Sequence, residues 1–68
     1  MKIIRLLDCL GDEYIINLSK IRYIKKINTS TFCIRFVFDT DHTSEVILQY
    51  NSPEKRDAIF NNIEEILN

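Results

Sequence analysis

Sixty-eight residues, 46 % of them apolar and with a net charge of -1, predict one small folded domain, too apolar for disorder and too neutral for gross electrostatic attraction to nucleic acid. A chain of this length buries only about 60 % of the surface that its unfolded state exposes, so its stability is expected to be marginal. No apolar run approaches the roughly 18 residues needed to cross a bilayer, and Arg5 and Asp8 interrupt the N-terminal one, so we expect a cytoplasmic protein without a signal peptide or a membrane partner.

Short strands and turns are predicted in the N-terminal part of the chain. Branched apolar side chains without helical spacing predict a strand over residues 2–8, and a second strand follows over 14–17. Gly11 lies between these two strands and is the only glycine. We therefore expect it to adopt the positive φ of a turn.

Residues 18–27 fit two structures, because their apolar residues recur at every third position and also fit alternation. Their β-branched and aromatic side chains, and the polar turn over residues 28–31, favour a strand over 21–27 instead of a helix.

The clearest strand covers residues 32–38, where apolar side chains alternate between two faces. A strand over 45–50 completes a hairpin with it, and its residues Val46, Leu48 and Tyr50 should face the same layer as the phenylalanines. One face of strand 32–38 carries Phe32, Ile34, Phe36 and Phe38, and the other carries Cys33, Arg35 and Val37.

A C-terminal helix is predicted over residues 53–67. Ser52 can cap its first turn, Pro53 is tolerated at the first helical position, and Glu54 suits the helix dipole. The apolar stripe of this helix should cover the phenylalanine face of the sheet, because no second helix is available. The stripe consists of Ile59, Phe60, Ile63, Ile66 and Leu67.

These elements predict a single α+β domain over residues 1–68: a small antiparallel meander of about five strands, packed on one face by a single C-terminal helix. The last strand and the helix SPEKRDAIFNNIEEIL resemble the closing hairpin and helix of pleckstrin-homology-like domains, a pattern too short and too generic to assign a family. Frequent isoleucine, asparagine and lysine are typical of an AT-rich coding sequence, as in some bacteria and their phages.

Groups that could carry out catalysis are scarce. Cys9 and Cys33 have no metal-ligand spacing and lie in apolar surroundings, so we expect free thiols that pack as small apolar residues. A metal-dependent hydrolase remains a remote alternative, with ligands from one loop. The polar turn of a hairpin explains that loop more simply. The loop residues are Asp39, Asp41, His42 and Glu45. We therefore expect no enzyme, no catalytic residue, no resident metal and no cofactor.

A basic stripe suggests one binding function. Four cations within seven residues could bind phosphates beside the aromatic ring of Tyr23, as in nucleic-acid grooves. An edge strand protected by lysine against aggregation is the other interpretation. The phosphate-binding candidates are Lys20, Arg22, Tyr23, Lys25, Lys26 and Arg35.

The sheet face opposite the helix suggests another function. If the helix covers the phenylalanine face, the opposite face leaves an apolar patch in water, joined by some of Ile3, Leu7 and Ile24. We therefore expect a non-catalytic protein-interaction module that binds a protein partner, including a second copy of itself in a homodimer. Nucleic-acid binding is the alternative. The interface candidates are Cys33, Val37, Ile47 and Ile24.

Overall fold

The first two strands form a hairpin of their own. In the computed structural model, which describes residues 2–39 and 44–68, β1 (Ile3–Leu7) pairs antiparallel with β2 (Glu13–Asn17). Gly11 adopts a φ of 87°, as predicted for the turn between them. A single 3₁₀ turn, Leu18–Lys20, then leads the chain out of the hairpin.

The remaining strands form a second antiparallel sheet. Its order is β3 (Ile21–Asn28), β4 (Phe32–Phe38) and β5 (Ser44–Tyr50), so β4 is central. The helix α1 (Pro53–Leu67) follows. The predicted α+β class is confirmed, with five strands and one C-terminal helix in the described part of the chain, but these strands divide into sheets of two and three instead of one meander.

The division into two sheets occurs at the 3₁₀ turn. The side chain of Asn17 accepts a hydrogen bond of 3.0 Å from the backbone N–H of Ser19, so it caps this turn. A side-chain bond of this kind offers the backbone an alternative to the strand ladder. Leu18 is buried at the same point, and its burial fixes the bend in the core.

Both the helix and the hairpin cover the phenylalanine face of the three-stranded sheet. Ile34 lies opposite Leu48 on this face, and both are fully buried. Ile63 reaches the same cluster from α1, and Ile16 reaches it from β2. The sequence had suggested that the helix alone covers this face, but the hairpin covers part of it as well. The buried cluster consists of Ile16, Leu18, Ile34, Phe36, Leu48, Tyr50 and Ile63.

The first turn of α1 has the predicted cap. The side-chain oxygen of Ser52 accepts a hydrogen bond of 3.1 Å from the backbone N–H of Lys55. Pro53 follows at the start of the helix, where its missing N–H has no intrahelical role. The cap fixes the direction in which α1 leaves β5 and crosses the sheet.

Candidate interaction surfaces

The face of the three-stranded sheet that points away from the core is called here the open face. Strand register arranges it in three rows, in which β4 supplies the middle residue of each. The rows are Tyr23, Val37 and Glu45; then Lys25, Arg35 and Ile47; then Ile27, Cys33 and Gln49.

The open face is only partly apolar. Tyr23 and Ile47 are 49 % and 44 % exposed, and Val37 between them is half-buried. Arg35 and Glu45 form an ion pair across this surface, with Arg35 Nε donating to Glu45 Oε2 at 2.7 Å. The exposed apolar contribution of the open face therefore comes mainly from Tyr23 and Ile47, while Val37 and Ile27 on the same face are partly buried.

Two interface candidates from the sequence are buried or partly buried. Cys33 is 5 % exposed, and its Sγ lies 3.2 Å from Thr31 Oγ1. Ile24 lies opposite Phe36 and packs against the buried cluster. The expected position of Ile24 was wrong because a bulge between Ile21 and Tyr23 shifts the alternation of β3, so that Ile21 and Ile24 both face the core.

The outer surface of the hairpin exposes more apolar area than the open face does. This hairpin face is defined by Ile3, Arg5 and Leu7 of β1 and by Glu13 and Ile15 of β2, which lie on one side of the pairing, and Leu10, which is exposed in the connecting turn, is counted with them. Its four aliphatic side chains are between 53 % and 73 % exposed. Arg5 Nε lies 3.3 Å from Glu13 Oε1, so this face also has one ion pair among apolar neighbours.

The turn of the hairpin is held in a defined conformation. The carboxylate of Asp8 accepts hydrogen bonds from the backbone N–H groups of Leu10 and Asp12, at 2.9 and 3.0 Å. The N–H of Cys9 donates to the backbone carbonyl of Gln49 at 2.9 Å, which joins the turn to β5. Leu10 is therefore exposed to solvent on a turn that these hydrogen bonds hold in place.

The predicted basic stripe is divided between surfaces. Lys25 and Arg35 lie opposite each other on the open face, beside Tyr23. Lys26 points to the helix side, where its Nζ lies 3.7 Å from Asp57 Oδ1 and 5.0 Å from the centre of the Phe60 ring. Arg22 is exposed at the bulge, and Lys20 is exposed in the 3₁₀ turn. No single surface collects all of these candidates.

Arg56 was not identified from the sequence as a structural residue. It is 4 % exposed, and its NH1 donates to the backbone carbonyls of Ile27 and Cys33 at 3.3 and 3.4 Å. Its Nε donates to Asp57 Oδ1 at 2.7 Å. Arg56, helped by Lys26, lowers the pKa of Asp57. A signal was present, because Arg56 lies three and seven positions before Ile59 and Ile63 and so continues the buried stripe.

Tyr50 is buried together with its hydroxyl group. The residue is 1 % exposed, and its hydroxyl has no hydrogen-bond partner within the described parts of the chain. Burial raises the pKa of Tyr50, with smaller contributions from Asp8 and Cys9.

Half of the metal-binding prediction lies outside the described residues, because Asp41 and His42 fall between 39 and 44. Of the other two candidates, Asp39 is exposed, and Glu45 is paired with Arg35. Within residues 2–39 and 44–68, no three metal-ligating side chains come together. None of the helices in these two ranges has both the length and the apolar character that a membrane span requires.

Comparison with models of known protein families, with curated proteins and with solved structures finds no match to this chain.

Proposed function

We propose that this chain is a non-catalytic interaction module that self-associates through a sheet surface left uncovered by its helix. One observation carries the proposal: among the described residues, six of the seven large exposed apolar side chains lie on the hairpin or on the open face. Contiguous exposed patches on small proteins commonly mark interaction sites. The hairpin face carries Ile3, Leu7, Leu10 and Ile15, and the open face carries Tyr23 and Ile47.

Docking on a face is favoured over the addition of a strand at an edge. The edge strand β3 carries a bulge near Tyr23 and several exposed cations, both of which discourage strand pairing. The edge strand β5 receives the hairpin turn through the bond from Cys9 to Gln49. Both outer strands of the three-stranded sheet are therefore protected at some point along their length, and the faces remain as docking surfaces.

A second copy of the chain is the partner that these faces fit. Each face carries one ion pair, Arg5 with Glu13 on the hairpin face and Arg35 with Glu45 on the open face. A two-fold related copy presents the same two charges in reverse, so each charge meets its opposite. Self-association also adds buried area to a domain of 68 residues, which is too small to bury much by itself.

The oligomeric state tests this function. Sedimentation equilibrium and light scattering on the purified chain, over a concentration series, should show a reversible dimer. A mass equal to one chain at every concentration would overturn the proposal.

Phosphate binding is the second candidate, and the common face of Tyr23, Lys25 and Arg35 favours it. The ion pairs of Arg35 with Glu45 and of Lys26 with Asp57 weigh against it, because two of the cations that would bind phosphate are already paired with carboxylates. Fluorescence anisotropy with single-stranded oligonucleotides at low salt is the test. Binding that weakens steeply with salt, and that is lost in Lys25→Glu but not in Lys55→Glu, would support it. An unchanged anisotropy would refute it.

A further inference from the structure

The hairpin face has the larger apolar patch of the two exposed faces. Given their exposed fractions, Ile3, Leu7, Leu10 and Ile15 together offer roughly 500 Å² of apolar surface, the size at which patches on monomers are often functional. They surround the ion pair of Arg5 and Glu13.

We propose that a second copy of this chain packs on the hairpin face, in a two-fold contact where Arg5 of each protomer pairs with the partner's Glu13. This proposal rests on the self-association proposed above and names the surface that makes it.

The register of the hairpin permits this contact. Arg5 lies opposite Ile15, and Leu7 lies opposite Glu13, so each strand places one charge beside apolar residues. A two-fold axis parallel to the strands lays β1 of one protomer over β2 of the other. Arg5 then lies above the partner's Ile15, one same-face position from the partner's Glu13. Symmetry repeats this arrangement, so both charged pairs form around an aliphatic centre.

The hairpin face is also rigid enough to bind without a large ordering cost. The carboxylate of Asp8 fixes the turn that carries Leu10, and Gly11 supplies the positive φ that the turn requires. The bond from Cys9 to Gln49 holds the turn against β5. A surface that is already ordered loses less conformational entropy when it associates.

The open face is less suited to burial. Among the described residues, Lys25 has no carboxylate within ion-pair distance, so a face-to-face contact there would remove an unpaired ammonium group from water. Its exposed apolar side chains, Tyr23 and Ile47, lie in separate rows with the Arg35 ion pair between them. The hairpin face carries no unpaired cation of this kind.

The expected dimer is weak and reversible. The apolar patch together with Arg5 and Glu13 presents roughly 700 Å², slightly below the ~800 Å² per partner of a standard stable interface. Association should therefore depend visibly on protein concentration.

Matched isoleucine variants on the two faces test the surface. Ile15→Glu places a carboxylate in the centre of the hairpin face, and Ile47→Glu does the same on the open face. Both positions are exposed, so circular dichroism should show the wild-type fold in each variant. Ile15→Glu should raise the dimer Kd roughly 100-fold, the effect of burying an unpaired charge, and Ile47→Glu should leave it unchanged.

Charge reversal tests the pairing across the contact. Arg5→Glu gives a hairpin face with two anions, and Glu13→Arg gives one with two cations. Each variant alone should be monomeric, and an equimolar mixture should form a heterodimer, because opposite charges then meet at both pairs. An ion pair that acts only within one chain could not produce this recovery.

Each outcome has a definite meaning. A monomeric wild-type chain overturns the self-association on which this inference rests. A dimer that survives Ile15→Glu and is lost in Ile47→Glu overturns the hairpin contact and leaves self-association standing on the open face. A dimer sensitive to Ile15→Glu whose charge-reversed variants do not recover on mixing overturns the reciprocal pairing of Arg5 and Glu13.

Discussion

Replacement of Arg56 by methionine should strongly destabilise the fold. Methionine keeps a long apolar side chain in the space that Arg56 fills but removes the guanidinium group. Two backbone carbonyls, those of Ile27 and Cys33, then lose the donor that lies 3.3 and 3.4 Å away. Arg56 also lies 5.8 Å from the centre of the Phe32 ring, and this cation–π contact is lost as well.

The magnitude follows from these contacts. Ile27 and Cys33 are paired in the β3–β4 ladder, so the bonds to Arg56 are additional bonds of these carbonyls. A hydrogen bond to a charged group contributes about 1.5 to 3 kcal/mol, and both bonds to Arg56 are long, so each is placed lower, near 1 kcal/mol. Loss of the Phe32 contact adds about 0.5 to 1 kcal/mol. Relief of the desolvation of the guanidinium offsets part of this, but the carbonyls belong to the backbone and cannot be removed with it. We expect a net loss of about 2 kcal/mol, from a total stability of roughly 3 to 10 kcal/mol for a chain of this size.

Urea denaturation followed by circular dichroism measures this loss. Lys55→Met is the matched control, because Lys55 is exposed in the same turn of α1, and its free energy of unfolding should stay within about 0.5 kcal/mol of wild type. Arg56→Lys should lie between the two, since lysine keeps the charge without the planar fork. A value for Arg56→Met within about 0.5 kcal/mol of wild type would show that the two carbonyl bonds do not stabilise the fold.

Substitutions at Tyr50, Asp57 and Gly11 should each change stability in a defined direction. Tyr50→Phe removes a buried hydroxyl that has no partner in the described residues, so the free energy of unfolding should rise by about 1 kcal/mol, and a fall of that size would show that the hydroxyl is bound. The pKa of Tyr50 is raised in the folded chain, so wild-type stability should also fall as the pH rises above 10.0, the ordinary pKa of tyrosine. Tyr50→Phe should reduce that fall in denaturation curves at alkaline pH. The lowered pKa of Asp57 means that its ionised carboxylate stabilises the fold above pH 3.8, the ordinary value, and that this contribution is lost as the pH falls below it. Asp57→Asn should therefore lose less stability on acidification than the wild type. An equal loss in both proteins would contradict this. Gly11→Ala meets no atom within 4 Å but must hold a φ of 87°, so it should cost about 1 kcal/mol in thermal unfolding, and an unchanged melting temperature would show that the turn relaxes.

The central strand and the helix were predictable because local signals agree there. Residues 32–38 alternate between two faces, and the structure has a strand with the same bounds, Phe32–Phe38. Ser52 and Pro53 mark the start of α1, and its bounds also match. The other strands differ from prediction by a single residue at one or both ends. Strand ends depend on hydrogen bonds to neighbours, which a single sequence does not reveal.

Residues 18–27 were ambiguous for a physical reason that the structure makes clear. Leu18, Ile21 and Ile24 recur at every third position and all face the core, although the segment is largely a strand. The 3₁₀ turn accounts for the first interval, and the bulge between Ile21 and Tyr23 accounts for the second. Each irregularity shifts the alternation by one residue, and neither has a signature such as glycine or proline in this sequence.

The surfaces were harder to predict than the elements. Some of Ile3, Leu7 and Ile24 were expected to join the open face. Ile3 and Leu7 are exposed, but they lie on the separate hairpin with Ile15, which the sequence did not single out. Both faces of β1 carry large aliphatic residues, so alternation could not show which one packs inward. The burial of Arg56 depends on the two carbonyls that its long side chain reaches, and this is tertiary information.

The bond from Cys9 to Gln49 has a consequence for the order of folding. It joins the first turn of the chain to its last strand, whereas β3, β4 and β5 pair with their neighbours through short connections. Closing the longer loop loses more chain entropy, so the hairpin should dock after the three-stranded sheet has formed. Native-state hydrogen exchange should then show that the amides of β1 and β2 open at lower free energy than those of β4. The element that carries the proposed contact would be the last to join the fold and the first to leave it.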